Sequence, residues 1–384
     1  MSGNKGAGKD VPEADQAGRP DWAPVDAGPQ FAVRVVRGRA TGSRGSSAPA
    51  VPRRSLTAAE YAQGVIGGNR TILARAITLV ESNAERHRRL AREVLARVLP
   101  HTGGSVRIGL SGVPGAGKSS LIETLGNQLV TQGKRLAVLA VDPSSTITRG
   151  SILGDKTRME TLARNRACFI RPSPAGGNLG GVARKSRETI LLCEAAGYDV
   201  IVVETVGVGQ NEVTVRSMVD FFLLLLIAGG GDELQGIKKG VIEIADALVI
   251  NKADGDNQAR AAISRQEYAM ALGYLSPITR GWQTRAHVCS ARTGMGVAEL
   301  WRMVQRFLEI TRANGFFAER RQAQSVEWFH TLLDDSLRDL FRRDPVVAAR
   351  LPDLERAVAQ GAYLVPDAVD DLLRTFQPAP GRRS

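Results

Sequence analysis

Two stretches of the chain carry the spacing Gly-x4-Gly-Lys: "GNKGAGKD", Gly3 to Asp10, and "GVPGAGKS", Gly112 to Ser119. A glycine loop of this length lets backbone N–H groups close around phosphates. The lysine reaches the β- and γ-phosphates, and the hydroxyl after it can ligate Mg2+. The motif needs a strand before it and a helix after it, because the helix N-terminus adds positive potential. "GVPGAGKS" follows the apolar run "VRIGL" and precedes "SLIETLGNQLV", where Leu121, Ile122, Leu125 and Leu129 share a helical face. Gly112, Val113, Pro114, Gly115, Ala116, Gly117, Lys118, Ser119 and Ser120 are therefore the expected phosphate-binding residues. Lys118 is also a candidate catalytic group and Ser119 a candidate metal ligand. "GNKGAGKD" follows no strand and has Asp10 where the hydroxyl belongs, so it reads as a chance match.

A phosphate loop does not choose a base. "NKAD", Asn251 to Asp254, lies just after the apolar run "ALVI". A carboxylate at Asp254 can accept both guanine N1–H and the N2 amino group, a donor pair that adenine lacks. Hydrogen bonds to charged groups contribute about 1.5–3 kcal/mol each, so two of them favour GTP clearly. Asn251, Lys252 and Asp254 are thus expected base contacts, joined by Ser290, Ala291 and Arg292 of "CSARTGMG", whose Ser290–Ala291 backbone would support the guanine edge. The plainer reading of Asp254 is a turn residue beside Gly255. In "VVETVGVGQ", Glu204 closes a buried strand, where an unpaired carboxylate is costly; a magnesium shell supplies the pairing. Gly207 can offer its N–H to the γ-phosphate, in a segment that moves when that phosphate leaves. Asp142, at the carboxyl end of "RLAVLAVD", and Asp155 are further candidate magnesium carboxylates, with strand-end capping as the alternative. Glu204 and Asp155 join Lys118 as candidate catalytic residues.

The elements that must position these groups are legible as well. From Val106 to about Gln305, apolar runs alternate with helical segments: "VRIGLSG", "RLAVLAVD", "CFIRP", "DVIVVET", "FFLLLLIA", "ALVINKA" and "HVCSA". Most lack polar alternation, which marks strands covered on both faces, hence a mostly parallel sheet in an α/β fold. Before it, "SLTAAEYAQGVI" starts with a cap at Ser55 or Thr57, and Ile72, Leu73, Ala76, Leu79 and Val80 recur at helical intervals. After Gly315 only helix-like segments follow, such as "QSVEWFHTLLDDSLRDLFRR" and "PDAVDDLLRTF", which suit an arm that packs on something else. The expected plan is a tail over 1–54, a helical segment over 55–104, a P-loop GTPase domain over 105–313 and a helical arm over 314–384. The tail is rich in Gly, Ala, Pro and Ser and buries too little apolar surface to offset its ordering entropy, so it is expected to be disordered.

Composition bounds the alternatives. The net charge is +12, but the arginines are dispersed and no aromatic-basic ladder accompanies them. The charge therefore reads as solvated surface rather than a nucleic-acid footprint. Cys168, Cys193 and Cys289 lie far apart, and the histidines offer no ligand spacing, so a disulfide framework or thiolate zinc site is not expected. No apolar run approaches the roughly 20 residues of a membrane helix. A cytoplasmic protein without membrane contact is the expectation.

Together "GVPGAGKSS", "VDPSST", "GSILGDKTRM", "FIRPSP", "LGGVARKSRETILLCEAAGYDVIVVETVGVGQNE", "GDELQGIKKG" and "NKADG" resemble the MeaB-type GTPases of the P-loop SIMIBI class. These are G-protein chaperones of adenosylcobalamin-dependent acyl-CoA mutases, formerly described as arginine/ornithine transport kinases. The resemblance covers about residues 55–345. It implies GTP/GDP and Mg2+ as ligands, and a homodimer formed through C-terminal helices. It also implies methylmalonyl-CoA mutase or a close relative as partner, with cobalamin delivered by an adenosyltransferase under GTP control. By the same resemblance, "DPSSTITRGSILGDKTRM" is a first switch, "ETVGVGQ" a second and "GGGDELQGIKKG" a third. Ala228, Gly230, Arg149 and Asn211 depart from the family pattern within or beside these switches. Gln210 is not in Ras-like register beside Gly207, so slow intrinsic hydrolysis accelerated by a partner is expected. The competing readings are a kinase that phosphorylates a periplasmic amino-acid-binding transport protein, and a metallochaperone GTPase, which would ordinarily carry a Cys/His metal store.

Overall fold

The structure, a computed structural model, describes residues 55–141, 159–172, 179–205, 211–228 and 239–376. The expectations placed on 1–54, Asp142, Asp155, Gly207 and most of the three switch segments lie outside the described residues. Within them, seven strands form one parallel sheet in the order β3-β2-β4-β1-β5-β6-β7. They are β1 Val106–Gly112, β2 Leu136–Val141, β3 Cys168–Arg171, β4 Val200–Thr205, β5 Phe221–Ile227, β6 Ala247–Asn251 and β7 Ala286–Val288. Each falls on one of the apolar runs. β2, β4 and β6 are buried at every position, which is why they show no polar alternation.

Thirteen helices of the described residues surround the sheet. α1 Ala58–Ile66, α2 Arg70–Glu81 and α3 Glu85–Val98 precede it. α1 starts at a capping box: the Thr57 amide donates to Glu60 Oε2 (2.8 Å) and the Glu60 amide to Thr57 Oγ1 (3.3 Å). Asn69 caps α2 by accepting from the amides of Thr71 and Ile72. Val65, Leu73, Ile77, Val94 and Val98 are fully buried and share one core with the sheet face formed by Ala137, Ile201, Val203, Phe222, Leu224, Leu248 and Ile250. The same layer holds α6 Leu179–Ala195, α7 Asn211–Arg216, α8 Lys239–Glu243 and α9 Gln258–Gly273. The opposite face packs on α4 Lys118–Thr131, α5 Glu160–Arg164 and α10 Val297–Ala313 through Leu121, Leu125, Leu129, Leu162, Leu300, Val304 and Phe307.

The chain ends in α11 Phe316–Arg343, α12 Pro345–Ala359 and α13 Val365–Thr375. α11 has 28 residues, about 42 Å at 1.5 Å per residue. Its first turns are fixed beneath the sheet, at the amino ends of β1, β5 and β6. Arg321 pairs with both oxygens of Asp220 (2.7 Å each), and Arg320 pairs with Asp246 (3.3 Å) and the Asp220 carbonyl. Asp220 also accepts from the Arg107 amide, and Asp246 from the Phe222 amide and Thr279. Every acceptor in this buried cluster has a charged or amide donor, the condition under which buried charge is tolerated. Farther along, Val326, Phe329, Leu333, Leu337 and Leu340 are exposed at spacings of three and four, a coiled-coil seam without a partner among the described residues.

Candidate nucleotide site

β1 lies in the middle of the sheet, with β4 on one side and β5 on the other. Its carboxyl end is the point where the strand order reverses, and such sheets bind ligands there. The chain leaves β1 at Gly112 and enters α4 at Lys118. A Cβ on Gly112 would stand 2.2 Å from the Leu225 carbonyl oxygen of β5, so only glycine passes. Gly117 has φ 89°, and a Cβ there would come within 2.6 Å of Asn251 Nδ2. Between them, Ala116 is buried while Pro114 and Gly115 are exposed and Val113 half-buried. Ser120 is exposed on the first turn of α4.

Lys118 lies back over its own loop, donating from Nζ to the carbonyls of Gly112 (2.7 Å) and Val113 (3.3 Å). Ser119 donates to Glu204 Oε1 at 3.2 Å. The two groups assigned to magnesium from separate motifs thus meet. Glu204 is buried at the end of β4, in register with Leu110 of β1. Behind it, Thr205 donates to Ser111 (2.9 Å), binding β4 to β1 at the level of the loop. A hydroxyl and a carboxylate are oxygen donors only, which suits a hard cation that keeps waters and phosphate oxygens for its remaining positions. Among the described residues there is no cluster of three or more His, Cys, Asp or Glu side chains to cage a metal by itself.

The base-side residues assemble at the ends of β6 and β7. Asp254 accepts from the Ser290 hydroxyl (3.0 Å) through Oδ1, and its Oδ2 faces Arg292 at 3.9 Å. Ser290 Oγ in turn accepts from the Thr293 amide (3.1 Å), which fixes the hydroxyl proton toward Asp254. Lys252 is exposed and has φ 58°, the one positive φ among described non-glycine residues. Backbone strain of this kind persists where the surroundings impose it, often at ligand sites. Burial pushes the Cys289 thiol up to about 12, so the cysteine of "CSAR" is protonated and inert at neutral pH.

Sequence spacing missed the ties between the two halves. Asn251 donates from Nδ2 to the Ala116 carbonyl (2.8 Å) and accepts the Ala291 amide on Oδ1 (2.9 Å). The Ser290 amide donates to the Met295 carbonyl (2.9 Å). Thr124, in the second turn of α4, donates to the Ala291 carbonyl at 2.6 Å. Asn251 and Thr124 thereby lock the phosphate loop to the base loop. Only Asn251 had a local signal, its place in "NKAD"; Thr124 had none.

A family model described as the methylmalonyl Co-A mutase-associated GTPase MeaB matches residues 73–345. A Caulobacter vibrioides protein designated a GTPase is 55% identical over 81% of this chain and 95% of its own length. The mouse methylmalonic aciduria type A homolog, a mitochondrial protein, is 47% identical over 82% of this chain and 78% of its own. A crystal structure titled as a LAO/AO transport system kinase superposes with a TM-score of 0.66 at 39% identity, covering 84% of this chain and 98% of that one.

Proposed function

The chain belongs to the MeaB family of methylmalonyl-CoA mutase-associated GTPases, and from that premise we propose that it is a Mg2+-dependent GTP switch that chaperones an adenosylcobalamin-dependent acyl-CoA mutase. The supporting observation is the convergence at one edge of the sheet of the phosphate loop, the Ser119–Glu204 pair and Asp254, joined through Asn251. In this reading the loop amides and Lys118 hold the β- and γ-phosphates. Ser119 and Glu204 hold Mg2+, with Asp142 and Asp155 as further carboxylates and the Gly207 amide on the γ-phosphate. Bound Mg2+ neutralises charge on the phosphate oxygens. Asp254 reads guanine, and the Ser290 hydroxyl keeps its carboxylate oriented. Glu204, which accepts from Ser119, holds that hydroxyl at the mouth of the phosphate loop.

The mutase, and an adenosyltransferase that loads its cobalamin, are the proposed partners. A homodimer is proposed through the exposed seam of α11. No helix among the described residues is long and apolar enough to cross a membrane. Calorimetry with GTP·Mg2+ is the first test, and absence of binding heat on folded protein overturns the whole reading. Capture of the purified B12-dependent mutase with a nonhydrolysable GTP analogue is the second, and capture indifferent to nucleotide removes the switch. The kinase title of the solved relative keeps one rival in view. Label from γ-labelled GTP should appear as free phosphate; label on an amino-acid-binding protein would favour the kinase.

A further inference from the structure

The connection that ends α7 and leads into β5 is held from outside by two other helices. On α11, Gln324 Nε2 donates to the carbonyls of Val219 (2.8 Å) and Arg216 (3.3 Å), and Arg320 donates to that of Asp220. On α6, Arg187 donates to the Ser217 carbonyl (2.7 Å) and hydroxyl (2.8 Å). The same guanidinium donates through its other nitrogen to the backbone carbonyl of Gln324 (3.0 Å) and lies 5.8 Å from the centre of the Trp328 ring. Arg187 therefore grips the end of α7 with one hand and α11 with the other. The exposed seam of α11 begins two residues beyond Gln324, at Val326.

α7 is well placed to feel the nucleotide site. It packs on β4, the strand that ends in Glu204, and on β1, the strand that runs into the phosphate loop. Val215 and Val219 are fully buried in that contact, so a shift of α7 is passed to its end rather than absorbed. Gln324 Oε1 and Trp328 Nε1 are buried without a partner among the described residues, one helical turn apart on α11. Pairing them would give the joint a second arrangement, in which the Trp328 ring, now lying under the Arg187 guanidinium, turns to meet Gln324. Two discrete arrangements of one packed element are what coupling between distant sites requires.

We propose that Arg187 is a positioning residue that ties α7 to α11, so that the nucleotide held by Ser119 and Glu204 and the association of α11 with a second copy of this chain are coupled through it. This rests on the GTP-switch reading above. Coupling of this kind is reciprocal: a nucleotide that strengthens the dimer is itself bound more tightly by the dimer.

Sedimentation velocity on the full chain tests it, with Mg2+ and either GDP or a nonhydrolysable GTP analogue. The wild-type dimer dissociation constant should differ between the two by about fivefold or more. Arg187→Ala should erase the difference while fluorescent GDP binds as to wild type. Arg187→Lys keeps the charge but loses the planar fork, so it should not restore the difference. Trp328→Phe leaves an aromatic face for Arg187 while removing the Nε1–H donor and the pyrrole half of the ring, and should also shrink it. A wild type that binds both nucleotides yet dimerises equally in each overturns the proposal. So does an Arg187→Ala protein that folds, binds GDP normally and keeps the full difference. If Arg187→Ala does not fold, Trp328→Phe decides: an undiminished difference overturns the proposal. A wild type that binds neither nucleotide sinks the GTP reading instead.

Discussion

Asp254 and Thr124 illustrate two kinds of residue at this site. Asp254 was legible because its neighbours in the chain, Asn251 and Lys252, complete a local pattern behind a strand. Thr124 was not, because its only relevant partner is the Ala291 carbonyl, 167 residues away. Asp254→Asn should move base preference from GTP towards XTP, whose base presents an acceptor where guanine has its amino group. Competition between the two nucleotides in a filter or fluorescence assay reads this directly, and unchanged GTP preference removes the base assignment. Thr124→Val keeps the volume and deletes one hydrogen bond. Expected results are a stability loss of about 1 kcal/mol and weaker GDP binding, since the base loop loses a fixed support. Equal GDP affinity in the variant would show that Asn251 alone locks the loops. Lys118→Ala should abolish hydrolysis in a protein that still folds; normal turnover would contradict the phosphate-loop assignment.

At the scale of elements, strands were easier to read than the arm. Runs such as "FFLLLLI" are apolar throughout because helices cover both faces of the sheet, and their shortness favours a strand over a buried helix. The start of α11 lies where the sequence reading put it, just after Gly315, but its inner face is polar. Its inward positions are filled by Arg320 and Gln324, so hydrophobic periodicity is absent where the helix is most firmly held. α12 carries Pro352 inside it. β7 carries the element's own prediction. Burial, with Arg285 and Arg265 adding repulsion, holds the His287 imidazole below its usual 6.5. A histidine whose folded value is lowered gives stability that is complete above 6.5. As pH falls the unfolded chain takes up the proton first, so stability drains away until the folded value is passed. Denaturant midpoints should therefore fall between pH 7 and pH 5 more steeply in wild type than in His287→Gln. Parallel slopes in the two proteins would mean that His287 titrates alike folded and unfolded.

For the molecule as a whole, the candidate nucleotide site and the arm lie at opposite ends of the sheet: the strands' carboxyl ends carry the site, and their amino ends carry Asp220 and Asp246, which anchor α11. This separates two roles that mutation can separate too. The residues anchoring α11 are buried and ion-paired, so removing one partner leaves an uncompensated charge and costs about 3–5 kcal/mol. The seam residues Leu333 and Leu337 are exposed in the single chain, so replacing them should leave the fold alone. A double substitution, Leu333→Glu with Leu337→Glu, places like charges where two copies of α11 would meet. If the seam is the dimer interface, sedimentation should show a folded monomer. Asp220→Ala makes the opposite prediction, a large loss of stability, because Arg321 and the Arg107 amide lose their acceptor. A Leu333/Leu337 variant that remains dimeric would place the interface elsewhere. Nucleotide affinity should shift in the monomeric variant as well, because coupling between the site and the second copy is reciprocal.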